Sequence, residues 1–581
     1  MKLKTPQATR YMTRILNWKA VSSAVLISLA AQMPISAFAS QQTVTDQRLL
    51  LDVIINGQDT HNIVLFLQDP SNQLYVSGTY LQSWKLNLPG KPAFIDHGTA
   101  YYALSQYTGL QQQVNINALT IQLQIPTHYF QNNTINNTSS AFITPQKAPY
   151  GAYLNYTLFA SGAINASNPQ TSTQSALLAP TIFGPEGNFN NQFLLQHTPD
   201  STQNQTVRLL TNYQIDLPDK MQTLTVGDSY TTPGAWGTAL PFGGISWSTD
   251  FATQPNYDIY PLPSVAGQTA IPTTVDLYVN NALANTEKVP TGPFTINNIP
   301  VVTGAGMVNV VTTNALGQQQ VISLPYYTDP GLLKPGLQDF SYQLGWLRQN
   351  LGTQSNDYSQ AVAVVSDRVG VTNTLTAEGD IQATSQIQNA GASLTYVVDN
   401  LFTVNSAFAL GNSDQGRGQL FQLGVERQNN LGMSYGINGE VTSADFYQIG
   451  SLGTPSPSLQ LQSFIGATLF NKYSLGLSYT QQNYSGMPNL NFLSLSLSSS
   501  LTRDIFWTVT ALSNITGPSN KEINLSLMCN FGTDYNLSLS HEQTHDDGTS
   551  TTQNTLDFNK AAPSGPGYGY DLQATSANNA I

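Results

Sequence analysis

Hydrophobic and polar residues alternate one by one along much of the second half of the chain. In residues 473–480 tyrosine and leucine alternate with serine, glycine and threonine, and in residues 493–498 three leucines alternate with three serines. Successive side chains of a β-strand point to opposite faces, so the pattern predicts strands with one apolar and one polar face. About twenty such segments follow residue 152, separated by turn residues, which is typical of a transmembrane β-barrel and too many for one soluble sandwich.

Two regions depart from this pattern. Before residue 126, Leu51, Val53 and Ile55 alternate up to a hairpin turn at Asn56-Gly57, which predicts a small domain with its own core. Residues 262–327 hold short strands and many turns, which predict a small sandwich inserted as a plug between barrel strands. The predicted ranges are an export signal (1–39), an N-terminal domain (40–126), a linker with a polar stretch at 131–140 (127–151), the first part of the barrel (152–261), the plug (262–327) and the second part of the barrel (328–581).

The composition agrees with an all-β protein. Only 9% of the residues are charged and 40% are hydrophobic, and the mean hydropathy is -0.17. Uncharged polar residues in bulk suit strands that are wet on one face, rather than helices with charged outer stripes. The net charge of -12 and the lack of a Lys/Arg cluster exclude nucleic acid as a partner.

The first 39 residues have the pattern of a secretory signal. Basic residues precede an apolar run at 20–31, and Ala37-Phe38-Ala39 matches a cleavage site before Ser40. The alternative is an N-terminal membrane anchor, but the run is shorter than the roughly 18 to 20 residues that a spanning helix needs. Cys529 is the only cysteine, so no intrachain disulfide is expected.

One stretch matches a catalytic motif. His541-Glu542-Gln543-Thr544-His545 has the H-E-x-x-H order of zinc proteases, which requires a helix so that both imidazoles reach one ion. The preceding residues predict a strand, in which residues four apart lie roughly 13 Å apart. The motif is therefore interpreted as a polar loop at a strand end. The sequence also lacks a Gly-x-Ser-x-Gly elbow and a P-loop, so we expect no enzyme activity, catalytic residue, metal, cofactor or small-molecule substrate.

Several stretches resemble the outer-membrane ushers of chaperone–usher pilus assembly. The match is strong over 150–350 and rests mostly on pattern over 350–581. The matching stretches are residues 154–156 (LNY), 227–230 (GDSY), 242–250 (FGGISWSTD), 275–280 (VDLYVN), 289–294 (VPTGPF), 298–300 (NIP), 304–306 (GAG), 325–327 (PYY), 332–336 (LLKPG) and 342–345 (YQLG).

The resemblance implies an outer-membrane pore closed by a plug, with a periplasmic N-terminal domain that receives chaperone–subunit complexes. The implied partners are a periplasmic pilus chaperone, pilin subunits, outer-membrane lipid and a second usher copy. We expect chaperone–subunit binding at Val44, Leu49 and Leu50. The plug motif that the family match indicates comprises Asp276, Tyr278, Pro290, Gly292, Pro293 and Phe294.

The chain also departs from the family. We expect the two periplasmic domains that follow the barrel in ushers to be absent, and because about twenty strands fall short of the family's roughly twenty-four, we expect an incomplete and unclosed barrel. The alternatives to a working usher are a non-functional truncated fragment and a passive porin-like channel. The channel is favoured if the insert at 262–327 is a constriction loop without a core.

Overall fold

A computed structural model of the full chain gives the fold. It describes residues 47–137, 143–162, 172–197, 205–314, 319–428, 432–451, 456–470, 472–486, 488–516, 520–532, 534–546, 548–563 and 565–580. The expected export signal at 1–39 and the binding residue Val44 lie outside these residues. The chain divides into two compact units, with the boundary after Ile125.

The N-terminal unit is a seven-stranded sheet with one helix. The strand order is β4-β5-β3-β2-β1-β7-β6, with β1 and β7 parallel. The hairpin turn predicted at Asn56-Gly57 is confirmed, since both residues have positive φ and join β1 to β2. The elements are β1 (Gln47–Ile55), β2 (Gln58–Gln68), β3 (Leu74–Ser77), α1 (Gly78–Ser83), β4 (Phe94–Asp96), β5 (Thr99–Ala103), β6 (Gln111–Asn115) and β7 (Thr120–Gln124), with a 3-10 helix at Leu104–Gln106.

The second unit begins with a short element and the first barrel strands. A 3-10 helix (Thr127–Tyr129) and β8 (Asn133–Asn136) precede six long strands, which are β9 (Gly151–Gly162), β10 (Ser172–Gly184), β11 (Gly187–His197), β12 (Gln205–Leu217), β13 (Gln222–Tyr230) and β14 (Pro241–Thr249). Two more 3-10 helices lie at Pro218–Lys220 and Phe251–Thr253. Neighbouring strands from β9 to β14 pair antiparallel.

An inserted domain follows, and then the rest of the barrel. The insert holds β15 (Val265–Thr269), β16 (Thr273–Val279), β17 (Ala282–Val289), β18 (Gly292–Asn297), β19 (Gly304–Asn314) and β20 (Gln319–Thr328). The barrel resumes with β21 (Gln338–Arg348), β22 (Tyr358–Thr372), β23 (Leu375–Thr384), β24 (Ile387–Val398), β25 (Phe402–Ser413), β26 (Gly416–Arg427) and β27 (Met433–Thr442). It continues with β28 (Leu459–Leu469), β29 (Tyr473–Asn483), β30 (Leu490–Ser500), β31 (Ile505–Asn514), β32 (Asn520–Phe531), β33 (Tyr535–Asp546), β34 (Thr549–Lys560) and β35 (Tyr570–Ala580).

The long strands form a closed barrel. Its order runs from β10 to β14, passes directly to β21, continues to β35 and returns through β9. The described strands therefore follow a closed order, which differs from the expectation of an unclosed sheet, although the seam between β9 and β35 lacks the residue-by-residue pairing of the other neighbours. Counting strands against the family number could not decide closure, because tilt and stagger let barrels close with different strand numbers. Strand β14 pairs with β21, so the whole insert lies between two adjacent barrel strands.

The barrel wall is apolar outside and polar inside. On β23 the side chain of Ile381 is 55% exposed, whereas those of its neighbours Asp380 and Gln382 are only 2% and 3% exposed. Phe408 and Leu410 on β25 are likewise exposed, at 46% and 54%. A water-soluble protein buries apolar side chains and exposes charged ones, so this inverted arrangement is that of a membrane barrel. Among the described residues, no helix has both the length and the apolar character that crossing a bilayer demands.

Candidate functional site

The inserted domain is a sandwich with its own core. One sheet has the order β17-β16-β19-β20, and the other has the order β15-β18-β8. Alternate residues of both sheets face each other, which is how two packed sheets make a core. The buried members of this core are Val265, Val275, Leu277, Val289, Phe294, Ile296, Ile299, Val308, Val310 and Tyr326. A constriction loop would have no such core, so the geometry is that of a folded plug.

Strand β8 is a difference from the sequence-based expectation. The range 127–151 was predicted to be a linker, because its asparagine-rich sequence favours turns. Four of its residues instead pair in parallel with β18, from Asn133 opposite Phe294 to Asn136 opposite Asn297. The strand forms because β18 offers a sheet edge to pair with, which local propensity does not reveal.

The predicted plug residues lie on β16, on β18 and in the loop before β18. Asp276 accepts a hydrogen bond from the Thr286 hydroxyl at 2.7 Å, and the carbonyl of Pro290 accepts one from Thr269 at 3.1 Å. Tyr278, Pro290 and Pro293 are half-buried. Phe294 is 1% exposed and lies at the centre of the core.

Gly292 is required by its backbone and by its surroundings. Its φ of +127° is a conformation that residues with a side chain rarely adopt. A Cβ atom there would lie 2.6 Å from the Cβ of Phe130, in the segment that leads into β8. Gly292 therefore lets this segment approach the plug closely.

The plug contacts the barrel wall at one rim, which we call the N-terminal rim because β9 begins there. Alternating strand directions place the start of β25 and the end of β26 at this same rim. The Ala305 amide donates to the Gln428 carbonyl at 2.9 Å, and the Gln428 amide donates to the Tyr327 hydroxyl at 3.3 Å. Ala305 and Tyr327 also pack against Val397 of the wall and Leu332.

The two segments that join the plug to the barrel are bonded to each other and to the wall. The Lys334 amide donates to the Ile259 carbonyl at 2.8 Å, and the Lys334 ammonium lies 5.4 Å from the centre of the Tyr257 ring. Burial lowers the pKa of Lys334, and the Asp258 carboxylate opposes this shift. Leu333 donates through its amide to the Thr376 hydroxyl of the wall at 2.8 Å. The return from the plug to the barrel is thus fixed in place.

A loop from the opposite rim folds into the barrel. Within residues 231–240, the Gly234 amide donates to the Asp380 carboxylate at 3.0 Å, and the Ala235 amide donates to Glu378 at 2.8 Å. Trp236 is buried against Ala407, Ala409, Leu420 and Phe446. Phe446 belongs to a second inward loop, 443–451, whose Gln448 side chain donates to the Trp236 carbonyl at 2.8 Å. We call these two segments the lumen loops; they were not predicted from the sequence, in which an aromatic residue in a Gly/Pro loop is their only signal.

A buried ion cluster stiffens the wall beside these loops. Asp228 on β13 is 4% exposed, and its carboxylate is paired with Arg208 and lies 3.3 Å from the Arg348 guanidinium. The Tyr358 hydroxyl and the Thr211 amide also donate to this carboxylate. The cluster ties together β12, β13, β21 and β22. In the sequence only the Gly227-Asp228 motif is a sign of this cluster, because the arginines are remote in the chain.

The expected chaperone–subunit residues lie on β1 of the N-terminal unit. Leu50 is 59% exposed and Leu49 is half-buried, so of the two only Leu50 presents a largely free apolar surface. Leu50 pairs with Leu65 on β2, and the next outward position on that strand, Ile63, is 69% exposed. These residues form an outward apolar strip, which we call the β1–β2 strip. Ile63 was not among the predicted residues.

The H-E-x-x-H residues lie within a strand. Strand β33 runs through Asp546, so the interpretation of 541–545 as a loop is wrong, because pairing with β32 and β34 extends the strand. His541 is hydrogen-bonded to Asn554 at 2.7 Å and His545 to Ser550 at 2.9 Å. Each imidazole thus has a polar neighbour on β34.

These features match known proteins. A family model described as "Outer membrane usher protein" matches residues 188–580. The chain belongs to the usher family. Membership places the barrel in the outer membrane and confirms the predicted fold class and the resemblance described above.

Individual relatives match shorter stretches. The F1 capsule-anchoring protein of Yersinia pestis is 24% identical over 224 residues, which are 37% of this chain and 26% of that protein. The outer membrane usher protein FimC of Bordetella pertussis is 28% identical over 138 residues, or 24% of this chain and 16% of that protein. The matched part thus spans about a quarter or less of these two relatives. In structure, the chain is similar to an E. coli P pilus tip assembly intermediate, PapC-PapD-PapK-PapG, at 14% identity, a TM-score of 0.54, and coverage of 92% of this chain and 73% of that one.

Proposed function

We propose that this usher is a plug-gated pore that receives chaperone–subunit complexes, orders the assembly of pilin subunits and translocates the growing fibre. The periplasmic chaperone and the pilin subunits are its partners, and no chemical catalysis is involved. The single observation that carries the proposal is a folded sandwich inserted between two adjacent strands of a membrane barrel. A relative seen within a pilus assembly intermediate supports the choice of partners.

The placement of the plug fits a gate. It is attached to the barrel at the N-terminal rim, through Ala305 and Tyr327 and through the two joining segments. The chain from the N-terminal domain enters the barrel at the same rim. A domain that is attached at one rim of a pore stands where it can close that pore.

The β1–β2 strip is the proposed docking surface for the chaperone–subunit complex. Apolar side chains exposed together on a sheet are the usual centre of a protein interface. The test is Leu50→Glu in the full chain, with binding of a purified chaperone–subunit complex measured by surface plasmon resonance. We expect affinity to fall by about tenfold or more, as for a central interface residue. Ile116→Glu, at an exposed site off the strip, is the control and should bind like the wild type.

The gate is tested by removing the plug. Deletion of residues 263–328 with a short Gly/Ser replacement should produce large, continuously open channels in planar bilayers. The folded core favours a plug over the constriction loop of a passive porin. Deleting a constriction loop would raise the conductance only modestly. Unchanged conductance after the deletion would refute the gated pore.

A further inference from the structure

The smaller sheet of the plug is not built from the insert alone. Strand β18 pairs with β15 on one side and with β8 on the other. Strand β8 lies outside the insert, between the N-terminal unit and the first barrel strand. The insert therefore has an acceptor edge on β18, and that edge is occupied by a segment of the same chain, as in β-strand addition.

Side chains along residues 127–137 continue this contact on both sides of β8. Phe130 is 4% exposed and faces Gly292, while Ile135 packs against the plug core. The polar contacts are Thr127 to Gln268 at 3.0 Å, Asn132 to Thr295 at 3.1 Å, Asn285 to Asn137 at 2.6 Å, and the Asn137 amide to the Asn297 carbonyl at 3.3 Å.

The attachment of the plug to the wall is of a different kind. Its described contacts gather around Ala305 and Tyr327 at one rim. Peeling β8 from β18 would break a strand pairing and expose Phe130 and Ile135, whereas the described plug strands share no strand pairing with the wall. The weaker interface separates first.

We infer that residues 127–137 travel with the plug, so that the moving body of the gate is 127–137 together with 263–328. This inference rests on the proposed plug-gated pore and specifies how it is controlled. The N-terminal unit ends at Ile125, and Phe130 is already buried in the plug. The N-terminal domain is thus joined to the gate by only a few residues, and displacement of that domain by a bound partner would pull directly on the plug.

The test uses two disulfide pairs in the full chain with Cys529→Ser. Thr134→Cys with Thr295→Cys links β8 to β18 at residues that lie opposite each other. Ala305→Cys with Gln428→Cys links the plug to the wall, as a matched control. Each pair is recorded in planar bilayers, oxidised and reduced, and bond formation is verified by mass spectrometry.

We expect the oxidised β8–β18 pair to open as often as its reduced form, and the oxidised plug–wall pair to remain closed. Closure of both oxidised pairs would overturn the inference, because it would mean that β8 must leave the plug for the pore to open. A plug–wall disulfide that leaves opening unchanged would refute the plug as the gate itself, and the inference with it.

Discussion

Replacing Phe294 by alanine should unlock the pore by unfolding the plug. The ring is 1% exposed, and a Cβ added at Gly267 would lie 2.5 Å from it, so the ring lies against bare backbone with no room to spare. Removing such a buried ring costs about 3–5 kcal/mol, because a cavity remains. A domain of the plug's size has a stability of roughly 3–10 kcal/mol at about 0.05–0.15 kcal/mol per residue. The loss is therefore comparable to the whole stability of the plug.

The assay is the fraction of time spent in the high-conductance state, together with limited proteolysis of the plug in detergent. Phe294→Ala should raise the open fraction toward that of the plug deletion and make the plug sensitive to protease. Leu283→Ala is the control, since Leu283 is 57% exposed and its loss should change stability by no more than about 0.5 kcal/mol. A Phe294→Ala channel that is as closed and as protease-resistant as the wild type would refute the reasoning.

Three further predictions concern other parts of the molecule. Asp228→Asn leaves two arginines without their carboxylate, which costs about 3–5 kcal/mol for a buried pair. The temperature at which the barrel loses its heat-modifiable gel mobility should therefore fall. Asp339→Asn, at a more exposed pair with Arg368, should change this temperature little. Trp236→Ala should release the lumen loops and raise the conductance of the plug-deleted channel; equal conductance would contradict a role for Trp236 in narrowing the lumen. The Ser71 hydroxyl, and after it the Gln73 amide, lower the pKa of Asp69. The resulting stabilisation of the fold is present above the pKa of the unfolded state and is lost as pH falls through the pKa of the folded state. Ser71→Ala should raise the Asp69 pKa in an NMR titration, and an unchanged pKa would count against that hydrogen bond.

How far the sequence predicted the molecule depends on the range of the interactions. Period-two alternation identified strands such as β29 and β30, because the side-chain direction of a strand is a local property, although both strands extend beyond the predicted 473–480 and 493–498. The hairpin turn at Asn56-Gly57 was predictable for the same reason, because two adjacent residues determine it. The plug was indicated by a change in strand length and by the resemblance of residues 289–294 to the usher family.

Features made by distant residues were out of reach. Strand β8 has only Ile135 as an apolar residue, and its conformation is set by the edge of β18, more than 150 residues away. Arg208 and Arg348 meet Asp228 because β12, β13 and β21 bring them together, and no spacing in the sequence marks the cluster. The motif at 541–545 shows the opposite failure, since a local turn signal was overridden by pairing on both sides of β33.

The number of barrel strands has a consequence for how the protein folds. The twenty-one barrel strands that the structure describes, each antiparallel to the one before it, bring the last strand back to the direction of the first, so the seam between β35 and β9 lies between two strands that run the same way. No hairpin can make a parallel contact, and its partners lie at the two ends of the barrel sequence. Contacts at such separation form late, because the chain between them must be ordered first. The sheet would thus grow hairpin by hairpin with two open edges, and lateral opening in the folded barrel would begin at this same seam, where every residue of β9 after Gly151 remains exposed.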